Sequence, residues 1–271
     1  MKIQFLGTAA AEGVPAFFCN CPVCREAFER GGRQARSRSG ALIDGVLKLD
    51  FGPDTYHHIL AHHLDTENWK SVLITHSHED HFVPSEILYR REGFAQVAED
   101  SEPLTVYGNQ AVVDQVEAHR TSGTPTNRVA AKRLALFTPE QIQGYTVTPM
   151  LAQHMPNEEC FFYLIEKDGK RILYAHDTGF FPEENFRYLA GKRLDLVSLD
   201  CTNCNLEFDK GHMGAPAGRR VRARLMETGA ADEHTIFVLN HFSHNGGASY
   251  DQMVHLAPDF VISYDGMTVE V

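Results

Sequence analysis

The sequence predicts an α/β protein built as a four-layer αββα sandwich, and three observations carry that prediction. Asp44-Gly45 and Asp168-Gly169 each separate two apolar runs, the strongest short hairpin signal a sequence offers. Between these hairpins lie segments of helical composition and spacing. Further short apolar runs alternate with helical ones after the second hairpin. A hairpin in each half, with helices between, fits two sheets faced by helices.

In chain order, Met1 to Leu6 reads as an opening strand, and Ala41-Leu42-Ile43 with Val46 to Phe51 as the first hairpin. Thr55 to Leu64, Ser85 to Glu92 and Gln110 to His119 read as helices, with the strand Trp69 to Thr75 between the first two. His57, His58, His62 and His63 share the first helix at i, i+4 spacing. No carboxylate or thiol is arranged to complete a metal site there, so they are read as an exposed amphipathic face. The alternating run Tyr145 to Leu151 precedes the second hairpin, Phe161 to Lys167 and Arg171 to Tyr174. Strands at Leu194 to Asp200 and Ile236 to Asn240, and helices at Ala215 to Thr228 and Ser249 to Leu256, complete the pattern. No repeat or long linker divides the 271 residues, which read as a single domain over 1–271.

The chemistry concentrates in Thr75-His76-Ser77-His78-Glu79-Asp80-His81, directly after an apolar strand. Strand ends are where α/β proteins place ligands. In extended backbone, residues i and i+2 point the same way, so His76 and His78 can grip one ion. Asp80 and His81 fall past the bend and aim at a neighbouring position, so one segment can serve two metals. Imidazole suits Zn, Fe or Ni, and the carboxylate adds a harder ligand suited to Mn or Zn.

This His-x-His-x-Asp-His segment resembles the hallmark of the metallo-β-lactamase-fold hydrolases. The resemblance implies a dinuclear site completed by three residues at later strand ends. His154 follows the run Tyr145 to Leu151, Asp177 ends Leu173-Tyr174-Ala175-His176 before a Thr-Gly turn, and His241 closes Ile236 to Asn240. On that pattern His76, His78 and His154 hold one metal, Asp80, His81 and His241 the other, and Asp177 bridges them with a water or hydroxide. His176, facing away from Asp177, is expected to pack behind the site. The implied cofactors are two catalytic divalent metals, Zn or Mn, with Fe also acceptable to such ligands.

A second cluster, Cys19-Asn20-Cys21-Pro22-Val23-Cys24, sits in a loop over about residues 17–26. Three thiols at this spacing suit tetrahedral Zn better than internal disulfides. His244, three residues beyond His241, is the candidate fourth ligand, which would staple this loop to the rim of the site. With that pair of features the chain resembles the PhnP-type branch, phosphodiesterases associated with carbon-phosphorus lyase metabolism. The similarity runs from Phe5-Leu6-Gly7-Thr8 through Ser39-Gly40-Ala41-Leu42 to Tyr264-Asp265-Gly266-Met267. It implies a metal-bridging hydroxide acting on a small phosphodiester, a cyclic ribose phosphodiester included. It also implies that His212, in Lys210-Gly211-His212-Met213-Gly214, assists the leaving group. Asp80, Asp177 and His212 are thus the residues expected to carry catalysis. Alternatives on the same fold are a lactonase, a thioesterase, an RNA-end hydrolase, or a non-hydrolytic PqqB-like accessory protein of cofactor biosynthesis.

Two features depart from the branch. Cys201 and Cys204 add a Cys-x-x-Cys outside the branch's pattern, read first as partly buried, inert thiols and second as a redox pair or thiolate site. Glu158-Glu159 places acid soon after His154, which would disfavour a highly charged phosphate substrate.

A formal charge of −11 argues against broad nucleic-acid binding, which needs a basic surface. Arg25, Arg30, Arg33, Arg36 and Arg38 crowd one early segment, read first as a solvated helix face and second as an attractor for an anion. No apolar segment approaches ~20 residues, so no membrane span is expected. The amino terminus lacks a signal-peptide pattern, and clustered thiols suit a reducing cytoplasm. The oligomeric state is open, a homodimer being allowed.

Overall fold

In the computed structural model, which describes residues 1–122 and 128–271, two seven-stranded sheets face each other. The first contains β1 (Lys2–Gly7), β2 (Gly40–Ile43), β3 (Leu47–Leu49), β4 (Ser71–Leu73), β5 (Leu104–Gly108), β6 (Val129–Arg133) and β14 (Thr268–Glu270), in the order β14-β1-β2-β3-β4-β5-β6. The second contains β7 (Glu140–Ile142), β8 (Tyr145–Leu151), β9 (Phe161–Lys167), β10 (Lys170–Ala175), β11 (Leu196–Asp200), β12 (Ile236–Asn240) and β13 (Val261–Ile262), in the order β13-β12-β11-β10-β9-β8-β7. Helices α2 (Thr55–His62), α3 (Pro84–Ile87) and α4 (Gln110–Ser122) accompany the first sheet, and α5 (Glu183–Leu189), α6 (Ala215–Glu227) and α7 (Tyr250–Leu256) the second. α1 (Pro22–Arg30) starts inside the cysteine loop.

Three apolar layers account for this arrangement. Between the sheets, Ile3, Phe5, Leu47 and Leu49 meet Tyr145, Tyr163, Ile172 and Tyr174. Outside the first sheet, Leu6, Val72, Ile74, Val106, Val112 and Val116 pack together, and outside the second, Leu173, Val197, Leu199, Val221, Leu225 and Met253. Both expected hairpins form, and their turns carry positive φ at both central residues: 48° and 77° at Asp44-Gly45, 51° and 76° at Asp168-Gly169. That backbone matches the twist of the flanking strands.

Strands β3 to β6 run parallel, as do β10 to β13, while β8 and β9 zigzag antiparallel into β10. The carboxyl ends of β3, β4, β8, β10, β11 and β12 therefore open toward one edge. The two sheets are tied beside that edge, where Phe161 N donates to Thr75 O (2.9 Å) and Tyr163 Oη to Ile74 O (2.6 Å).

Several expectations need correction. The helix expected over Ser85 to Glu92 is the four-residue α3. Ile87 and Leu88 are buried, but Arg90-Arg91-Glu92-Gly93 offers no further apolar residue to extend that face, and Gly93 has φ 85°. Helix α2 stops at His62 because His63 adopts left-handed backbone (φ 51°), and its histidines are not uniformly exposed. His58 is buried, with Nε2 2.8 Å from Ser37 Oγ. The early arginines are not a solvated helix face either. Only Arg25 and Arg30 lie on α1, whereas Arg36 is buried, stacks over Phe242 and donates to Thr8 Oγ1 and Ser263 O. Arg38 pairs with Asp54 at 2.9 Å.

Candidate metal centre

The loop after β4 is shaped by hydrogen bonds that leave its side chains free to converge. Asp50, just past β3, accepts from Thr75 N (2.8 Å) and Thr75 Oγ1 (3.0 Å) with one carboxylate oxygen and from His81 Nδ1 (2.8 Å) with the other. It thereby joins the start of the loop to its end. His81 N and Phe82 N both donate to His78 O, closing a tight turn that brings Asp80 and His81 round to a new direction.

The three histidines expected to act together do meet. His76 Nε2 lies 2.8 Å and His154 Nε2 3.1 Å from His78 Nδ1. A second group gathers Asp80, His81 and His241, with His81 Nε2 3.1 Å from Asp80 Oδ2. Asp177 stands between the groups: its Oδ2 is 2.7 Å from His81 Nε2 and 2.9 Å from His241 Nε2, while its Oδ1 is 3.8 Å from His154 Nε2. Asp50, Asp177 and His241 all have left-handed backbone (φ 56°, 48° and 62°). Such conformations cost roughly 1–2 kcal/mol each and collect where the surrounding structure imposes them.

Several outer ring nitrogens have partners that fix orientation. His154 Nδ1 donates to Gly211 O (3.1 Å), His81 Nδ1 to Asp50, and His241 Nδ1 lies 2.9 Å from Thr202 Oγ1. Buried Asp200 at the end of β11 accepts from Met213 N (2.8 Å), and its Oδ2 is 3.2 Å from His212 Nδ1. His212 itself is 30 % exposed, 3.6 Å from Asp177 Oδ1, and its Nε2 has no partner among the described residues. His176 turns away as expected, with Nε2 2.7 Å from Ser198 Oγ.

The field of the cluster favours positive charge. Burial works against a charged His241, but Asp177 and Asp200 outweigh it and push the ring up to about 10. Burial likewise opposes charge on His81, and Asp80, Asp177 and Asp50 raise it well above the ordinary value. His212 is raised too, burial being outweighed by Asp200. His76, buried and facing other histidines, is driven well below.

The donor set fits metal ions. His81 Nε2, His241 Nε2 and Asp177 Oδ2 are buried without a hydrogen-bond partner although they approach one another within 3 Å. Buried polar atoms left in this way are rare. Five imidazoles and two carboxylates aimed at a common space are what one or two divalent cations take as ligands.

The cysteine loop also closes as a group. Cys19 Sγ and Cys21 Sγ each lie 3.5 Å from His244 Nδ1, and Cys24 completes a four-donor cluster. Burial alone would raise Cys21, but hydrogen bonds from Cys24 N and His244 lower it to about 6, whereas burial pushes Cys24 up to about 12. Cys201 and Cys204 are buried, and burial raises Cys204 to about 11.

Asp50, Asp200, Thr202 and Glu158 are the site residues that motif spacing did not single out for these roles. The two aspartates had a signal, an acid directly after an apolar strand. Glu158 does not present its charge to the centre: Ser77 N (2.8 Å), Ser77 Oγ (2.5 Å) and Asn109 Nδ2 (2.6 Å) donate to it.

An αββα arrangement of two sheets, with a His/Asp donor cluster at the carboxyl ends of their strands, defines a metallo-β-lactamase-fold protein. The chain belongs to the beta-lactamase superfamily, whose domain profile matches residues 42–242. It is 28% identical over 202 residues to coenzyme PQQ synthesis protein B of Methylobacterium radiotolerans. That match covers 64% of this chain and 64% of the relative, just under two thirds of its length. The chain shares its fold with a diphosphatase from the PhnP family at 19% identity and TM-score 0.76, over 100% of this chain and 98% of that one. It shares it equally with zinc-bound PqqB from Methylobacterium extorquens at 20% identity and TM-score 0.74, over 100% of both.

Proposed function

We propose that the protein is a metal-dependent phosphodiesterase acting on a small phosphodiester, a cyclic ribose phosphodiester among them. The observation that supports this best is His212, partly exposed beside Asp177 at the edge of the donor cluster and held by Asp200. A thioester expels a thiolate that needs no such acid, whereas an alkoxide leaving from phosphorus is helped by one, and the substrate panel separates lactones, which also release an alkoxide. The fold likeness to a protein named a diphosphatase points the same way.

On this reading His76, His78 and His154 would hold one divalent ion, Zn or Mn, Asp80, His81 and His241 would hold the other, and Asp177 would serve both. Ions held there would supply a water of pKa lowered toward ~7 and neutralise charge on phosphoryl oxygens. Asp177 keeps the two halves in register through its two oxygens. Asp200 accepts from His212 Nδ1 and so leaves Nε2–H to donate to the departing oxygen as the P–O bond breaks. Asp50 and Gly211 O hold His81 and His154 in the tautomer whose Nε2 lone pair faces inward. Cys19, Cys21, Cys24 and His244 would hold a structural zinc, fastening the amino-terminal loop beside His241. Six cysteines outside disulfides suit a reducing cytoplasm, and no helix among the described residues is long and apolar enough to cross a membrane.

The test is metal analysis with a panel of cyclic and linear phosphodiesters beside lactones and thioesters. Asp177→Ala should abolish turnover and loosen metal binding. His212→Ala should slow turnover by about 10²–10⁴-fold with metal content intact. Equal metal loss in both variants would sink the role of His212, and turnover of lactones alone would replace the reading. The sequence likeness to a protein named for PQQ synthesis favours one second reading, a non-hydrolytic accessory protein. Full metal occupancy with no turnover of any ester would favour it.

A further inference from the structure

We propose that Glu158 is a positioning residue that makes the three-histidine half of the centre one preformed unit, so that its loss weakens metal binding at that half selectively. The proposal rests on the dinuclear reading above. His76 and His78 come from the loop after β4, and His154 from the loop between β8 and β9. No strand pairing fixes Ser77, the residue between the two histidines of the first loop. Glu158, four residues after His154 in the second loop, reaches across and accepts from Ser77 N at 2.8 Å and Ser77 Oγ at 2.5 Å.

A third element holds the carboxylate itself in place. Asn109, buried at the start of α4, donates from Nδ2 to Glu158 Oε1 (2.6 Å) and to Glu159 O (3.0 Å), while its own Oδ1 accepts from Val112 N (3.0 Å). Glu158 therefore links two ligand-bearing loops and a helix end. Hydrogen bonds to a carboxylate are shorter and stronger than neutral ones, so three of them make a stiff joint. Loops that are already ordered lose less freedom when they close on an ion, and affinity rises accordingly. No bond given among the described residues ties Glu158 to Asp80, His81 or His241; His81 is aligned by Asp50, and His241 by Thr202 and Asp200. The effect is accordingly confined to one half.

Cobalt(II) titration of the metal-free protein tests this, following visible absorbance, with His154→Ala and His241→Ala as spectral references for the two halves. Glu158→Ala should weaken cobalt binding at the three-histidine half by about 10–100-fold, the range typical of losing a ligand's supporting partner. The other half and the thiolate site should be unchanged. Glu158→Gln keeps an acceptor for Ser77 N and offers Ser77 Oγ a donor, so it should stay near wild type; a loss equal to that of alanine would mean that charge, not positioning, is at work. Ser77→Ala, which retains the backbone bond, should give a smaller loss at the same half and serves if Glu158→Ala folds poorly. Unchanged binding in Glu158→Ala, or equal weakening of both halves, overturns the proposal. A wild-type protein that takes up no histidine-bound cobalt overturns the dinuclear reading itself, an outcome visible before any variant is made.

Discussion

Four histidines at the centre are aimed by what a ring nitrogen touches on the outer side. Asp50 serves His81, Gly211 O serves His154, and Thr202 with Asp200 serves His241 and His212. Asp200 is the member of this set with the most connections, accepting also from Asp177 N and Thr202 N. Burial would raise its carboxyl, but hydrogen bonds from His212 and His241 hold it below the usual range. The linkage is mutual, since Asp200 raises His212. Asp200→Asn should therefore lower the His212 pKa, so that the protonated donor is lost at lower pH. The alkaline limb of the pH–rate profile should move to lower pH, and turnover should fall by about 10–100-fold. Profiles measured for wild type and variant, with metal content as control, check both. An unmoved limb would remove Asp200 from the acid's support.

At the scale of elements, hairpins and strands were the most readable. Asp44-Gly45 and Asp168-Gly169 specify their turns locally, because few other pairs tolerate positive φ at both positions. Helix α3 is shorter than its composition suggests, because helical composition continues past Leu88 while the buried face does not. Lys48 in β3 was equally invisible: its ammonium is buried behind the first sheet, donating to Leu49 O and Asp50 O. Burial lowers it to about 8 from an unfolded value near 10.5. Between those values the unfolded chain binds a proton that the folded chain does not, so stability rises with pH there. From pH ~7.5 to ~9.5 this contributes roughly 2 kcal/mol. Lys48→Met should lack that increment, as urea midpoints at the two pH values, compared with wild type, would reveal. Parallel slopes in the two proteins would place the lysine's folded pKa near its ordinary value.

For the whole molecule, the formal charge of −11 and a buried group of aspartates make cation binding a stabilising event. An ion bound only by the folded state at about 1,000 times its Kd adds about 4 kcal/mol. With about 2–4 °C of melting temperature per kcal/mol at this chain length, chelation should lower the midpoint by about 10 °C. Zn or Mn should restore it, and a midpoint indifferent to chelator would contradict a metal-filled centre. The sequence by itself determined the two hairpins and most strands of the second sheet, and its His-x-His-x-Asp-His spacing marked a candidate donor cluster, because period, turn chemistry and that spacing are local, whereas the sheet order and strands such as β5 and β6 came only with the fold. It also placed His154, Asp177 and His241 at strand ends, which one edge of the sandwich then brings within bonding reach. Only the tertiary structure decided which residues hold that cluster still. Asp50, Asp200 and Glu158 act on partners 31, 12 and 81 residues away, respectively, and an isolated acid on a strand end or loop looks the same in sequence whether it faces water or a histidine.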